Sequence, residues 1–126
     1  MLQYITTLNL IRVTIKHKKK LFKVLKNKKT KRLLVIFLKL NIILGWTNII
    51  FRNKNYYNVF VNEKFYKKIV TFIKPSKQIA LKSKQLHNMV FKVNSASIFL
   101  TTNKGVLSIS ETFQYKCGGI LLFCLL

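Results

Sequence analysis

Acid is nearly absent from this chain: among its 126 residues only Glu63 and Glu111 carry a side-chain carboxylate, and there is no Asp. General acid–base pairs, glycosidase carboxylates and Mg²⁺ or Ca²⁺ sites all need carboxylates, so the shortage removes whole classes of chemistry and effectively excludes an oxygen-ligand metal site. Cysteine and histidine are as sparse, two of each. Zinc ligands come in closely spaced pairs such as Cys-x-x-Cys; Cys117 and Cys124 do not form one, and His17 and His87 lie far from them in sequence. No metal site and no cofactor is expected, and the thiols read as buried structural groups. His17, inside a lysine run, reads as solvated or phosphate-facing; His87, beside Leu86, Asn88 and Met89, reads as packing or surface. Glycine (four) and proline (one) are scarce, and arginine appears only as Arg12, Arg32 and Arg52, while Lys, Asn, Ile, Phe and Leu are abundant. A/T-rich coding produces that pattern, which suggests a small, biased genome such as an organellar one.

What the chain holds instead is positive charge. Lys and Arg together number 24 and the formal net charge is +22, against a magnitude of about 2–8 for a small soluble domain. Self-repulsion on that scale calls for a polyanion, and nucleic acid is the first candidate. Half of the residues are hydrophobic, and aromatic and branched aliphatic residues run between the lysines throughout. A folded protein of one domain, or two very small ones, is therefore expected rather than a disordered basic tail. Lysine keeps the charge but lacks the bidentate fork of arginine, so these residues read as point charges that hold a phosphate backbone.

One apolar stretch, 33–51, approaches the roughly 20 residues that cross a bilayer. Lys39, Asn41, Thr47 and Asn48 interrupt it, and a central lysine costs about 2.5–3.5 kcal/mol on insertion scales. Gly45 followed by Trp46 reads as a helix stop, so a membrane span is the lesser alternative. The amphipathic, acid-free first twenty positions could pass for a transit peptide. They read equally as a first helix, with Leu8, Ile11 and Ile15 on one face and Arg12, Lys16 and Lys19 on another; a protein made inside an organelle needs no address.

The pattern predicts an α+β fold of two small subdomains: residues 1–62, a connecting segment 63–76, and residues 77–126. The first holds a helix over 4–16, a short strand or turn inside the basic stretch 16–31, and a second helix capped by Thr30 and running to about Leu44. A hairpin follows, with its turn at Asn53-Lys54-Asn55. Trp46, Tyr56, Tyr57 and Tyr66 offer surface for neighbouring proteins or, equally, sheet packing. The lone proline, in Lys74-Pro75-Ser76, marks the best boundary. Beyond it the chain reads as strand-rich with one short helix: strands at 78–81, 97–100, 106–109 and 120–126, and the helix at 84–93.

Two polar turns stand out in the second half. Thr101-Thr102-Asn103-Lys104-Gly105 follows an apolar strand, and Gly118-Gly119 precedes one. Short hydroxyl and amide groups can hydrogen-bond 2′-hydroxyls, phosphates and unpaired base edges, and glycine permits close approach. Taken alone, such a sequence is more often just a turn.

The order of these landmarks resembles the universal small-subunit ribosomal protein eight family. That family's carboxyl half has Arg-Pro-Gly, then a strand ending in Ser-Thr-Ser-Lys-Gly, then Gly-Gly-Glu entering an apolar, cysteine-containing terminal strand. Lys74-Pro75-Ser76, Thr101 through Gly105 with Glu111 downstream, and Gly118-Gly119-Ile120 stand in the same order here. The amino half is looser: Leu8, Ile11 and Arg12 are similar to the first-helix pattern, and Gly45-Trp46 to a helix exit. Ser76 and Ile120 replace a family glycine and glutamate, and Asn94-Ser95-Ala96 replaces a glycine-rich turn.

The resemblance implies a non-catalytic protein that binds the central domain of small-subunit rRNA, supports its assembly and contacts neighbouring ribosomal proteins, with no small-molecule substrate. It implies base and sugar contacts from Thr101, Thr102 and Asn103, and phosphate contacts from Lys74 and Lys104. Pro75 and Ser76 belong to the first landmark, and Gly105, Gly118 and Gly119 permit RNA to come close. Arg12 and the 16–31 stretch add sequence-blind phosphate contacts. The expected place is a mitochondrial ribosome, with a plastid ribosome as the alternative.

Overall fold

Apolar residues spaced three and four apart organise the first element, α1 (Leu2–Lys16), whose Tyr4, Leu8 and Ile11 are buried in the core. Its buried hydroxyls are satisfied locally: Thr7 Oγ1 donates to the Gln3 carbonyl at 2.8 Å and Thr14 Oγ1 to that of Leu10 at 2.7 Å. The computed structural model describes residues 2–65, 67–85 and 98–125. Contacts divide the chain into two units, Met1–Tyr66 and Lys67–Leu126, below called the amino and carboxyl units. Both mix strand and helix, an α+β architecture that is strand-rich in the carboxyl unit.

In the amino unit α1 leads to β1 (Leu21–Leu25), α2 (Lys28–Lys39), β2 (Ile43–Phe51) and β3 (Lys54–Val61). The strands form an antiparallel sheet in the order β1-β3-β2. Phe22, Val24, Tyr57, Val59 and Val61 are buried on the face packed by α1 and α2, where Leu33, Leu34 and Phe37 complete the core. Leu8, Leu33, Leu34 and Phe37 have no exposed surface; each such aliphatic or aromatic side chain contributes about 1.5–3 kcal/mol of burial.

The elements of this unit match the expected order, but three of their boundaries differ. The cap of α2 is Asn27, not Thr30: its Oδ1 accepts from the Thr30 backbone N–H at 2.8 Å, while Thr30 is itself buried. The helix ends at Lys39, well before Gly45, because Asn41 adopts a left-handed φ of 61°. Asn41 N–H then reaches the Leu38 carbonyl and Ile42 N–H that of Phe37, closing a Schellman motif. Gly45 lies within β2, at a bulge where the register shifts opposite Phe60. The hairpin turn is Arg52-Asn53, with φ of 50° and 63°, one step earlier than expected. Positive φ at both central residues matches the right-handed twist of the strands.

The stretch 33–51 is thus helix, turn and strand in succession, and no helix among the described residues is long and apolar enough to cross a membrane.

The carboxyl unit contains β4 (Ile69–Thr71), β5 (Ala80–Leu81), β6 (Ile98–Thr102), β7 (Gly105–Ser108), α3 (Ile109–Tyr115) and β8 (Gly119–Leu125). The segment expected to be a connector, 63–76, contributes β4 and the buried Ile73 to this unit. Sheet order is β4-β8-β6-β7, with β5 also on β8, all antiparallel. As the central strand, β8 is buried from Leu121 to Leu125, which explains the unbroken apolar run of the sequence. Phe99 and Phe123 stack at 5.0 Å on one face, and Leu100, Ile109 and Leu121 pack in one core cluster. The helix expected over 84–93 lies largely outside the described residues.

A helix that the pattern did not announce, α3, begins where a strand to Ile109 was expected. Its signal is Ser108-Ile109-Ser110-Glu111, a capping-box sequence in which Ser108 is the cap and the Glu111 carboxylate takes the serine hydroxyl instead of the Ser108 backbone N–H. Ser108 Oγ accepts from Glu111 N–H and donates to Glu111 Oε1, both at 3.3 Å.

Candidate nucleic-acid interface

Every described Lys and Arg side chain is exposed, as is His17. Among the described residues there is one ion pair, Lys20 with Glu63 at 3.5 Å. Since Glu111 is engaged with Ser108 at the start of α3, both side-chain acids have local partners, and the other described cations are exposed without a carboxylate partner among the described residues.

The carboxyl unit brings two of the sequence landmarks together. Thr101 pairs with Val106 across the β6–β7 hairpin and with Ile120 of β8 on its other side, so the polar turn and the paired glycines are adjacent. Thr101 and Thr102 belong to strand β6 and are half-buried; the turn proper is Asn103-Lys104, both exposed. Gly105 follows with φ of 107°, a conformation that a side chain would strain.

Thr102 has a specific local job. Its Oγ1 donates to the Gly105 carbonyl at 2.9 Å and accepts from the Lys104 backbone N–H at 3.1 Å, which fixes the turn. The outward groups are therefore the Asn103 amide and Lys104, whose Nζ stands 4.7 Å over the Tyr115 ring of α3.

Gly118 and Gly119 permit close approach, but by the chain's own backbone. A Cβ on Gly119 would lie 2.5 Å from the Thr101 carbonyl oxygen, and one on Gly118 would lie 2.5 Å from that of Leu81. Only glycine lets β8 pass between β5 and β6 at this level, so these residues shape the site from inside.

The third landmark is on the same sheet but apart from the turn. Lys74 and Lys77 exchange backbone hydrogen bonds of 3.0 and 3.2 Å around an exposed Pro75-Ser76 turn. This turn stands out from the β4–β5 edge, level with Leu121 and Leu122, with β8 between it and β6. Arg12 is exposed on α1 in the amino unit.

The amino unit gathers cations around two features. The 16–31 stretch wraps from the end of α1 through β1 into α2, and a cleft of about 540 Å³ opens beside Lys18, Lys19 and Lys20, with Asn62 and Glu63 opposite. The first turn of α2 carries Lys28, Lys29 and Lys31 and no acid. The positive end of the helix dipole repels cations there, a local cost of about 0.3–1 kcal/mol each that a bound phosphate would reverse.

One surface was singled out in the sequence only at Tyr56. Tyr56, Asn58 and Phe60 alternate on the sheet face away from the helices, whereas Tyr57 is buried in the core and Trp46 is half-buried, edge-on to Tyr57 at 6.3 Å. The available signal is that β3 is apolar on both of its faces, which a one-sided sheet does not require. Tyr66 lies outside the described residues.

Cys117 is half-buried and Cys124 buried, both as free thiols, and burial pushes the Cys124 thiol above its ordinary pKa. A protonated, enclosed thiol is unreactive. No protein-family model matches the chain, and comparison with curated proteins gives no match.

Proposed function

We propose that this protein is a structural, non-catalytic constituent of the small subunit of an organellar ribosome. In this reading it binds the central domain of small-subunit rRNA, supports its assembly and meets neighbouring ribosomal proteins. The observation that carries the RNA-binding reading is the charge: +22 overall, with every described cation exposed and one ion pair among them. A surface of that kind is suited to a polyanion whose counterions it displaces.

The assignment to the small ribosomal subunit rests on the order of the landmarks and on the adjacency of two of them. Asn103 and Lys104 are the outward groups for base, sugar and phosphate; Thr102, Gly105, Gly118 and Gly119 hold their turn in place. The A/T-biased composition supports an organellar setting, and the replacement of the family's glycines favours a mitochondrion, with a plastid as alternative. Such a role needs no cofactor.

The direct test is co-sedimentation of the tagged chain with small ribosomal subunits isolated from the organelle. Recovery in the soluble fraction at physiological salt would overturn the assignment. In vitro, Thr102→Ala with Asn103→Ala weakens binding to a junction from the cognate rRNA by about 1–3 kcal/mol while leaving plain duplex RNA unaffected. Equal losses on both RNAs would remove the turn from recognition.

A further inference from the structure

Among the described residues of the amino unit, helices cover one face of its sheet. On the other, the register puts Tyr56 and Phe60 of the central strand at either end of a polar row made by Lys23, Asn58 and Thr47. Phe51 lies one step past Tyr56, edge-on to it at 6.5 Å between ring centres. We propose that this open face is a stacking platform for unpaired nucleotides of RNA, an inference that rests on the RNA-binding reading above and adds a second mode of contact to the Asn103-Lys104 turn.

Geometry favours stacked bases. Tyr56 and Phe60 are four residues apart on one strand, about 13 Å, far enough for a base on each ring and a sugar-phosphate link over the polar row. Leu21 of β1 stands opposite Phe60 on one side, but on the β2 side its flank is open, because the residues there are the bulge at Leu44 and Gly45. No atom lies within 4 Å of the point where a Gly45 Cβ would stand. At the other end Lys23 Nζ sits 4.7 Å, and the Arg52 guanidinium 5.2 Å, from the Phe51 ring centre. Cations held against an aromatic ring are where the phosphate beside a stacked base needs them. Between them Asn58 Oδ1 is enclosed without a hydrogen-bond partner, an acceptor that gains a donor if the amide turns towards a base edge.

Charge separates RNA from the other occupant such a face could take, a neighbouring protein. The buried centre of a protein interface is depleted in lysine, whereas Lys23 lies in the middle row here. Neither Glu63 nor Glu111 lies in a strand of this sheet. Stacking is tolerant of sequence, since every base has a π-face, so the platform reads strandedness and leaves identity to the turn.

The experiment uses the full chain with an oligouridylate of roughly ten nucleotides, within the usual site size for such platforms, and an RNA duplex of equal length. Phe60→Leu and Tyr56→Leu keep an apolar side chain on the strand but cannot stack. Each lowers affinity for the single strand by about 5- to 100-fold and changes duplex affinity less than twofold, and Phe60→Trp restores it. Equal losses on both RNAs, or no loss on either, would overturn the platform while leaving RNA binding intact. If the unaltered protein binds neither oligonucleotide, the RNA reading falls and this inference with it. Photocrosslinking of the unaltered protein to a 4-thiouridine oligonucleotide gives a second readout that no folding defect can blur. Adducts on peptides spanning residues 49–61 support the platform, and adducts found only elsewhere, as expected if a protein covers this face, exclude it.

Discussion

Of the 24 basic residues the amino unit carries fifteen and the carboxyl unit nine, whereas of the four glycines the amino unit has one and the carboxyl unit three. On the proposed RNA-binding reading, the difference separates two ways of holding an RNA. Charge spread over helix ends, a loop and a strand acts at long range and tolerates displacement of any one lysine. A turn wedged between strands at carbonyl-contact distance tolerates almost no change. Under that proposal the amino unit serves affinity and the carboxyl unit shape, and substitutions of the same chemical kind should have unequal consequences in the two.

The sharpest contrast uses one substitution in both places. Gly119→Ala puts a methyl 2.5 Å from the Thr101 backbone oxygen and 2.9 Å from Thr102 Cγ2. Neither backbone can yield without parting β6 from β8, so a loss of about 2 kcal/mol or more is expected in chemical denaturation. Gly45→Ala meets nothing within 4 Å and needs no unusual φ; its effect stays within about 0.5 kcal/mol. Comparable losses at both positions would erase the distinction between the units.

A second prediction runs in the opposite sense. Replacing Lys28, Lys29 and Lys31 with Gln removes cations from the positive end of α2, and the free protein gains about 0.3–1 kcal/mol of stability per removed repulsion. RNA affinity falls together with its salt dependence, by about 0.7–0.9 in log–log slope for each phosphate that is no longer neutralised. Affinity falls for both duplex and single strand, with the larger change of slope, about 0.9 per phosphate, on the duplex and the smaller, about 0.7, on the single strand. Lower stability in these variants, or an unchanged slope, would show that the lysines serve the fold rather than the ligand.

Much of this architecture is visible in the sequence because apolar periodicity sets it: α1, β1, the β2–β3 hairpin and the buried β8 all follow from where Leu, Ile, Val and Phe recur. What is not visible depends on atoms distant in sequence or on single backbone angles. Asn27 outcompetes Thr30 as a cap because its oxygen reaches the Thr30 N–H, and periodicity carries no such information. The strand β4 is too short to show alternation and exists because β8 offers it an edge. At the candidate site the adjacency of Thr101 and Gly119 follows from strand pairing, so the glycines look like ligand contacts in sequence and are spacers in space. The two local hydrogen bonds of the Thr102 hydroxyl are likewise invisible in the sequence, because they depend on the backbone of the turn.

The smallest effect concerns how helices end in a chain this poor in glycine. The left-handed residue after α1 is Lys18, after α2 Asn41, and after α3 Lys116, with φ of 54°, 61° and 52°. In each case the next two N–H groups close back on the helix: Lys18 and Lys19 on Ile15 and Thr14, Asn41 and Ile42 on Leu38 and Phe37, Lys116 and Cys117 on Phe113 and Thr112. The motif is thus made without the residue that fits it best. For lysine the Cβ clash in this conformation costs about 1 kcal/mol, while asparagine visits it readily. Lys18→Gly and Lys116→Gly should each raise stability by about 0.5–1 kcal/mol, and Asn41→Gly by no more than a few tenths, all read as shifts in denaturation midpoint at constant slope. The two lysines differ in what else they give up. Lys18 lines the cleft of the amino unit, so its glycine variant should bind every RNA substrate more weakly, whereas Lys116 lies between α3 and the paired glycines, so any weakening in Lys116→Gly should appear chiefly on the structured junction. A uniform weakening from Lys116→Gly would mean that the carboxyl unit, too, holds RNA chiefly by charge.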